Sequence, residues 1–359
     1  MAYTTIDDPS AYFQTLLYTG NATGSRALTN DGNSDLQPDW LWIKQRNSAK
    51  NHNIWDSTRG VTKQLRTNLN NAEATNTTDD QIVSLNSDGF TLGDDTDSVG
   101  VNENSQTYVA WQWKANGGTT SSNSNGSITS TVQANTTAGF SIITYTGTGS
   151  TATIGHGLNS APEMIITKGR SDAHSWLVGV TADSSDLSSV LVMQTTAASV
   201  TATSNYNAAP NSSTYQVVNA GGTNNNADTY VAYVFHSVQG YSKIGSYTGN
   251  GNADGPFVYL GFKPAWVMVK RTNTTGAWEI YDSARNGNDS NPINDRLRAN
   301  DNAAENTDDT SDYVSDFLSN GWKIRTNSGN WNTSGHTYIY MAFAEHPFVS
   351  SEGVPVTAR

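Results

Sequence analysis

The sequence contains no cysteine. Disulfides, thiolate metal sites and cysteine nucleophiles are excluded together, which is compatible with assembly inside a reducing cell and with stability outside one. Charge is scarce as well, at 14% of residues, and unbalanced, with a formal net charge of −12. No block of Lys or Arg interrupts that acidity, and an acidic surface repels phosphate backbones, so nucleic acid is not an expected partner. No apolar run approaches the roughly 20 residues needed to cross a bilayer, and no membrane insertion is expected. The opening "MAYTTIDDPS" has neither a basic n-region nor an apolar h-region. Sec-type export is therefore not expected, and release would need another route such as lysis.

Catalytic signatures are missing too. There is no Gly-Lys-Ser/Thr phosphate loop, no Gly-x-Ser-x-Gly elbow and no His-Glu-x-x-His. The six histidines stand apart, with no pair spaced as zinc ligands on one element. The acidic stretches "GDDTD" (Gly93 to Asp97) and "NTDDTSD" (Asn306 to Asp312) lack the central Gly and terminal Glu of a calcium loop, and read as solvated turns. Paired carboxylates for glycoside hydrolysis meet only in the fold, so spacing does not test for them. No cofactor and no metal are expected.

What the chain does have is repetition. "LLYTGN" (Leu16 to Asn21), "ITYTGT" (Ile143 to Thr148) and "GSYTGN" (Gly245 to Asn250) each open a unit. Each opener is followed by a proline and an apolar run ending in lysine six positions on: "PDWLWIK" from Pro38, "PEMIITK" from Pro162 and "PAWVMVK" from Pro264. Each unit closes with "TYVAWQW" at Thr107, "TYVAYVF" at Thr229 or "TYIYMAF" at Thr337. Three signatures in one order, over a typical domain length, predict a tandem array of homologous domains.

Thr, Val, Ile, Tyr and Trp recur in short runs between Asn-, Asp- and Gly-rich turns such as "NSDGF" (Asn86 to Phe90) and "LSNGW" (Leu318 to Trp322). That pattern predicts an all-β chain of three tandem homologous antiparallel β-sandwich domains, of jelly-roll or lectin-like type. Along the closing strand Val109, Trp111 and Trp113 share one face, matched by Val231, Tyr233 and Phe235, and by Ile339, Met341 and Phe343; this apolar face is the expected core. The Pro-to-Lys runs are apolar on both faces, as in a central strand covered on each side. "SDYVSDFL" (Ser311 to Leu318) is the one candidate for a short helix.

The expected boundaries are 1–115 for the first sandwich, 116–139 for a flexible Gly/Ser/Thr/Asn linker, 140–238 and 239–346 for the second and third sandwiches, and 347–359 for a tail. The low-complexity linker implies a loosely tethered first domain. The run from the second unit into the third through "HSVQGYSK" implies a rigid abutment there.

"YTGNGNADG" (Tyr247 to Gly255) nearly matches a dinucleotide loop, but strand-like runs follow it where a phosphate cradle needs a helix N-terminus. It reads as a strand end and turn. "WDSTRG" (Trp55 to Gly60) and "YDSARNG" (Tyr281 to Gly287) share an Asp-Ser-x-Arg pattern. Asp56, Ser57, Arg59, Asp282, Ser283 and Arg285 are candidate loop pins, joined by charge-assisted hydrogen bonds, with binding as the other reading. Trp331, in the polar loop "SGNWNTSGH", is the candidate surface-binding residue, either stacking on a sugar or folding back onto its own domain.

The start "MAYTTIDDPSAYFQTLLYTGN", the middle "GFSIITYTGTGS" and the end "YIYMAFAEHPFVSSEGVPVTAR" resemble a family of tailed-bacteriophage proteins, common in marine phages, that carry tandem YTGNG-type β-sandwich repeats. The resemblance spans essentially the whole chain and implies a virion structural protein, tail-fibre-like, lectin-like or capsid-associated, with no established enzymatic activity. That family often places a cysteine in the closing strand, where Gln112, Val234 and Ala342 stand here.

The expectation is therefore a non-enzymatic component of the particle exterior, a capsid decoration protein or a fibre or spike subunit, assembled in the host cytoplasm. Its expected partners are other virion proteins of the capsid or tail and copies of itself, as a trimer. A carbohydrate-binding module engaging a host-surface glycan is the alternative, and a glycan-depolymerising enzyme the third reading.

Overall fold

The computed structural model describes residues 2–201, 203–286, 291–307 and 314–356. Three large antiparallel sheets share one strand order. In the first, Phe13–Thr19 pairs with Thr107–Trp113, which pairs with Trp40–Gln45, then Asn53–Asp56 and Lys63–Arg66. The second repeats this as Phe140–Thr146, Thr229–Phe235, Met164–Gly169, Leu177–Val180 and Ser189–Val192. The third repeats it as Ser242–Thr248, Thr337–Pro347, Phe262–Arg271, Trp278–Asp282 and Leu297–Arg298. Even the registers coincide: Trp40, Met164 and Trp266 lie opposite Trp113, Phe235 and Phe343.

A smaller antiparallel sheet covers one face of each large one. These are Arg26–Leu28 with Phe90–Leu92 and Ile82–Leu85, then Ala152–Gly155 with Thr214–Val217, then Phe257–Tyr259 with Gly321–Ile324 and Ser315–Leu318. Between each pair lies a separate core, such as Leu16, Leu41, Trp55, Phe90 and Tyr108 in the first unit. The chain is all-β in antiparallel sandwiches, and the described residues add only a 3-10 turn, Pro9–Ala11, and a single α-helical turn, Gly329–Asn332.

The face carrying Val109, Trp111 and Trp113 does not fill its own sandwich. Together with Val231, Tyr233, Phe235, Ile339, Met341 and Phe343 it forms one core shared by all three units. Trp40 stacks on Tyr233 at 4.6 Å between units 1 and 2, and Phe13 stacks on Phe343 at 5.3 Å between units 1 and 3. Phe235 meets Phe343 edge-on at 6.1 Å between units 2 and 3. Central strands apolar on both faces follow directly, because each is covered by its own small sheet and by its neighbours. All ten tryptophans are fully buried, and aromatic packing on this scale dominates a core's energetics.

Three sequence expectations need correction. The 116–139 stretch is not a flexible linker: Ser121–Asn123 and Ser130–Asn135 extend the second sheet beyond Phe140–Thr146. Its Ser/Thr/Asn composition suits strands near a sheet edge whose hydrogen bonds are made by the backbone, which composition alone does not reveal. The first unit is accordingly not loosely tethered, since it contributes to the shared core like the others. In "SDYVSDFL", Ser311 to Tyr313 lie outside the described residues and Ser315–Leu318 is a strand, because its alternating burial fits a half-covered edge.

The Tyr-Thr-Gly openers have a common physical cause. Tyr18, Tyr145 and Tyr247 stack on Tyr108, Tyr230 and Tyr338 of the closing strands at 4.9, 5.1 and 5.0 Å. Their hydroxyls donate to the carbonyls of Val101, Thr223 and Trp331. The glycines then pass so close to the opposing loop that a Cβ would lie 2.2, 2.1 and 2.3 Å from the carbonyl oxygens of Glu103, Asn225 and Thr333. Opposite each glycine sits a fully buried asparagine, Asn102, Asn224 or Asn332. Its Oδ1 accepts the backbone N–H of Asn21, Thr148 or Asn250.

Candidate functional site

The charged residues that the sequence singles out converge at the junctions between units. At the end of the strand Asn53–Asp56, the Asp56 carboxylate turns the loop back by accepting the Arg59 backbone N–H at 2.8 Å and Arg59 Nε at 2.5 Å. Both side chains are fully buried. Arg59 then donates to Glu73 Oε2 at 2.8 Å, and Glu73 accepts both Nε and Nη2 of Arg170 from unit 2. Tyr233 of unit 2 donates its hydroxyl to Asp56 Oδ2 at 2.7 Å.

Unit 3 makes the same set of contacts to unit 1. Asp282 accepts the backbone N–H and Nε of Arg285 at 2.9 and 2.6 Å. Arg285 donates to Glu305 at 2.7 Å, and Glu305 accepts Arg46 of unit 1 at 2.6 and 2.9 Å. The polar atom from the neighbouring closing strand is now Trp111 Nε1, 2.9 Å from Asp282 Oδ2. Burial works against the charge on Arg59 and Arg285, but the surrounding carboxylates overcome it and hold both guanidiniums above their ordinary range. Burial likewise opposes the charge on Glu73 and Glu305, and the flanking arginines still push both below the usual carboxylate range.

The third junction, from unit 2 to unit 3, uses different residues in the same places. Strand register puts Val180 where Asp56 and Asp282 stand, and Met341 where Tyr233 and Trp111 stand. Both belong to the shared core. The backbone link persists: Glu73 N donates to Arg170 O, Glu305 N to Arg46 O, and Ser199 N to Thr272 O. Contacts therefore run head to tail, 3 to 1, 1 to 2 and 2 to 3, and close into a ring. Such heterologous contacts generate closed rings when the rotation permits.

Indoles tie the same ring a second way. Trp176 of unit 2 donates to Arg66 O of unit 1 at 2.8 Å, and Trp278 of unit 3 donates to Val192 O of unit 2 at 3.2 Å. His52 takes the matching place in unit 1. Its Nδ1 accepts from Trp42 Nε1 at 2.9 Å, so the proton sits on Nε2, turned toward the Arg298 carbonyl of unit 3. No closed hydrogen bond forms there. Burial keeps this imidazole neutral, with its pKa well below the ordinary value.

Asp56, Arg59, Asp282 and Arg285 are thus junction residues as well as loop pins. Ser57 donates to Asp39 and accepts from Gln133 of the strand Ser130–Asn135, while Ser283 lines a shallow cavity. Gly287, at the end of the second motif, lies outside the described residues. Both aspartates are sealed from solvent and bonded to arginine, so these clusters hold the units together. Trp331 is not a surface residue. It is 1% exposed, packed edge-on against Tyr281 at 4.5 Å and Trp322 at 6.1 Å. The one-turn helix Gly329–Asn332 swings it inward, a local conformation that its polar neighbours conceal.

Sequence reasoning missed Asn102, Asn224 and Asn332, although each stands five residues before the closing Thr. It noted the lysines of the Pro-to-Lys runs only as a repeat signature and not as buried charges. Lys44, Lys168 and Lys270 are fully buried, and burial lowers each to about 8. Each donates to the carbonyl of the next residue. In "GDDTD", Asp95 accepts the backbone N–H groups of Val99, Gly100, Val101 and Asn102, which makes it a turn anchor. In "NTDDTSD", Asp308 to Asp312 lie outside the described residues. Among the described residues no group of three or more His, Cys, Asp or Glu side chains is placed to hold a metal ion, and no helix is long and apolar enough to cross a membrane.

No curated protein matches the chain. A family model does match, over residues 8–347, which takes in all three units and the ring of junctions between them. The chain belongs to the family described as Domain of unknown function (DUF7483).

Proposed function

We propose that the protein is a non-enzymatic structural component of the exterior of a bacteriophage particle, a capsid decoration protein or a fibre or spike subunit. The observation that carries this reading is the closed ring. One chain places three similar sandwiches around a shared aromatic core, and its buried charged clusters serve to hold them together. A rigid body with three similar faces suits docking on a symmetric particle, where sites are themselves repeated. The resemblance to tailed-phage repeat proteins supplies the particle. Side-chain-resolution imaging of purified virions tests it: density for the ring on the outer surface is expected, and absence of the chain from the particles overturns it. Light scattering of the isolated protein separates a single chain of 38.5 kDa from the trimer of chains included in this reading.

A second reading, recognition of a host glycan, moves away from Trp331 to the third unit. Phe257 and Tyr259 are 44% and 50% exposed, and Tyr259 lines a cleft of about 420 Å³ with Tyr3, Glu163, Gln239 and Lys243. Exposed rings flanked by polar side chains suit a sugar. Tyr259→Ala should abolish binding on a glycan array; unchanged binding removes this site. Cleavage of polysaccharide by the purified protein would overturn the non-enzymatic assignment.

A further inference from the structure

The three junctions each have a place beside the opening strand of one unit and against the pinned loop of the preceding unit. At the junction of units 1 and 2 that place is filled. The strand Ser130–Asn135 lies antiparallel to Phe140–Thr146, and Gln133 reaches across to Ser57 and Thr58 of unit 1. At the junction of units 3 and 1 the same place is open. A cavity of about 150 Å³ is lined by Phe13 and Thr15 of the opening strand and by Ala265, Ser283 and Ala284 of unit 3. Phe13 and Thr15 correspond in register to Phe140 and Ile142, and Ser283 and Ala284 to Ser57 and Thr58.

Among the described residues, nothing pairs with the backbone edge beside this cavity. Phe13–Thr19 is the last strand of its sheet. Lys114 N donates to Tyr12 O, and Gly20 N donates to Gln106 O, so the even-numbered residues face the closing strand. Phe13, Thr15 and Leu17 therefore turn their N–H and C=O groups outward. Among the described residues the buried Thr15 hydroxyl also has no hydrogen-bond partner. At the remaining junction the edge is partly closed from within, because Ser242 pairs with Val238 in both directions and Ile244 N donates to Ser237 Oγ.

We propose that the outer edge of Phe13–Thr19 accepts an extended strand from a different polypeptide, which completes the sheet as Ser130–Asn135 completes the second one. The internal strand specifies the chemistry of the guest: antiparallel, short uncharged side chains, and a carboxamide opposite Thr15 able to bond both the Thr15 hydroxyl and Ser283. Main-chain hydrogen bonds supply affinity and alternate side chains supply selectivity in this mode of recognition. The guest is distinct from a second copy, since this chain already uses its own matching strand within unit 2.

A synthetic peptide with the sequence of residues 126–137, GSITSTVQANTT, is the probe, added to the full chain. Hydrogen-exchange mass spectrometry should show saturable slowing in the segment 13–19. Thr15→Pro should lose that slowing while the thermal melt stays unchanged, because the N–H removed faces away from the existing ladder. Ala284→Trp, which fills the cavity while leaving the sequence of the strand as it is, should lose it as well. No protection at millimolar peptide, or protection that persists in both variants, overturns the proposal. Self-association of the protein that Thr15→Pro dissolves also overturns it, in favour of a second copy as the guest.

Discussion

The indole Nε1 of Trp111 lies 2.9 Å from Oδ2 of Asp282, although the two residues belong to the first and third units of the chain. Tyr233 and Asp56 repeat the contact between the second unit and the first. At the last junction Met341 and Val180 take the two places. Where the closing strand offers a donor, its neighbour offers a carboxylate; where it offers a thioether, its neighbour offers a methyl group. The match extends beyond that pair, since the Glu73 with Arg170 and Glu305 with Arg46 linkages give way to Ser199 and Thr272.

Removing one partner of a buried ion pair leaves an uncompensated charge, at a cost of about 3–5 kcal/mol. Asp56→Ala and Asp282→Ala should each destabilise by about that amount in denaturant melts. Taking Asp56→Val, Glu73→Ser, Arg170→Thr and Tyr233→Met from the third junction, together with truncation of the then unpaired Arg59 to alanine, should cost less than Asp56→Ala alone. Buried ion-pair networks replaced by packed apolar groups are often neutral.

Gly147→Ala places a methyl group 2.1 Å from the Asn225 carbonyl, so the loop must move. Overpacking of this kind costs about 1–3 kcal/mol. The melt should shift by that amount, and Ala substitution at Gly20 or Gly249 should behave alike.

Trp331→Ala should act as a core truncation, losing about 3–5 kcal/mol. A melting temperature equal to the parent's would contradict the buried position.

Stability should rise between pH 8 and 10. Lys44, Lys168 and Lys270 have folded pKa values lowered to about 8 from 10.5. Below pH 8 both states are protonated and no slope arises; above it the unfolded chain binds more protons, which favours the fold as pH increases. The gain is on the order of 1 kcal/mol per lysine by pH 9. Above pH 10 the trend should reverse, because burial raises the phenols of Tyr145, Tyr233 and Tyr281 and only the unfolded chain ionises them. Replacing the three lysines by methionine should flatten the rise in thermal melts across this range.

Limited proteolysis should spare residues 130–135, which are paired and carry the fully buried Gln133. Early cleavage there would contradict the added strand.

The all-β class and the opening strands carrying Tyr18, Tyr145 and Tyr247 were legible because strand alternation and tight turns are local properties. The destination of each apolar face was not. Val109, Trp111 and Trp113 read as core, but nothing local distinguishes a face that fills its own sandwich from one that meets two neighbours. The Asp-Ser-x-Arg motifs were visible as pins, whereas Glu73, Arg170, Glu305 and Arg46 lie at separations that no spacing rule connects. Asn102, Asn224 and Asn332 were hidden by composition, since asparagine is common throughout the turns. Of the two readings of Trp331, folding back onto its own domain is the one the structure shows; the surface-binding reading came from the polarity of its neighbours, which reflects their exposure and not its own.

Joining the three units in one polypeptide has a consequence for dilution. A ring of separate subunits would dissociate as concentration fell, whereas here each neighbour is held at a high effective concentration by the backbone itself. Copy number is fixed at one of each, and their order around the ring never permutes. The Val180 and Met341 junction therefore marks a unique azimuth, so the ring can present one side that differs from the other two.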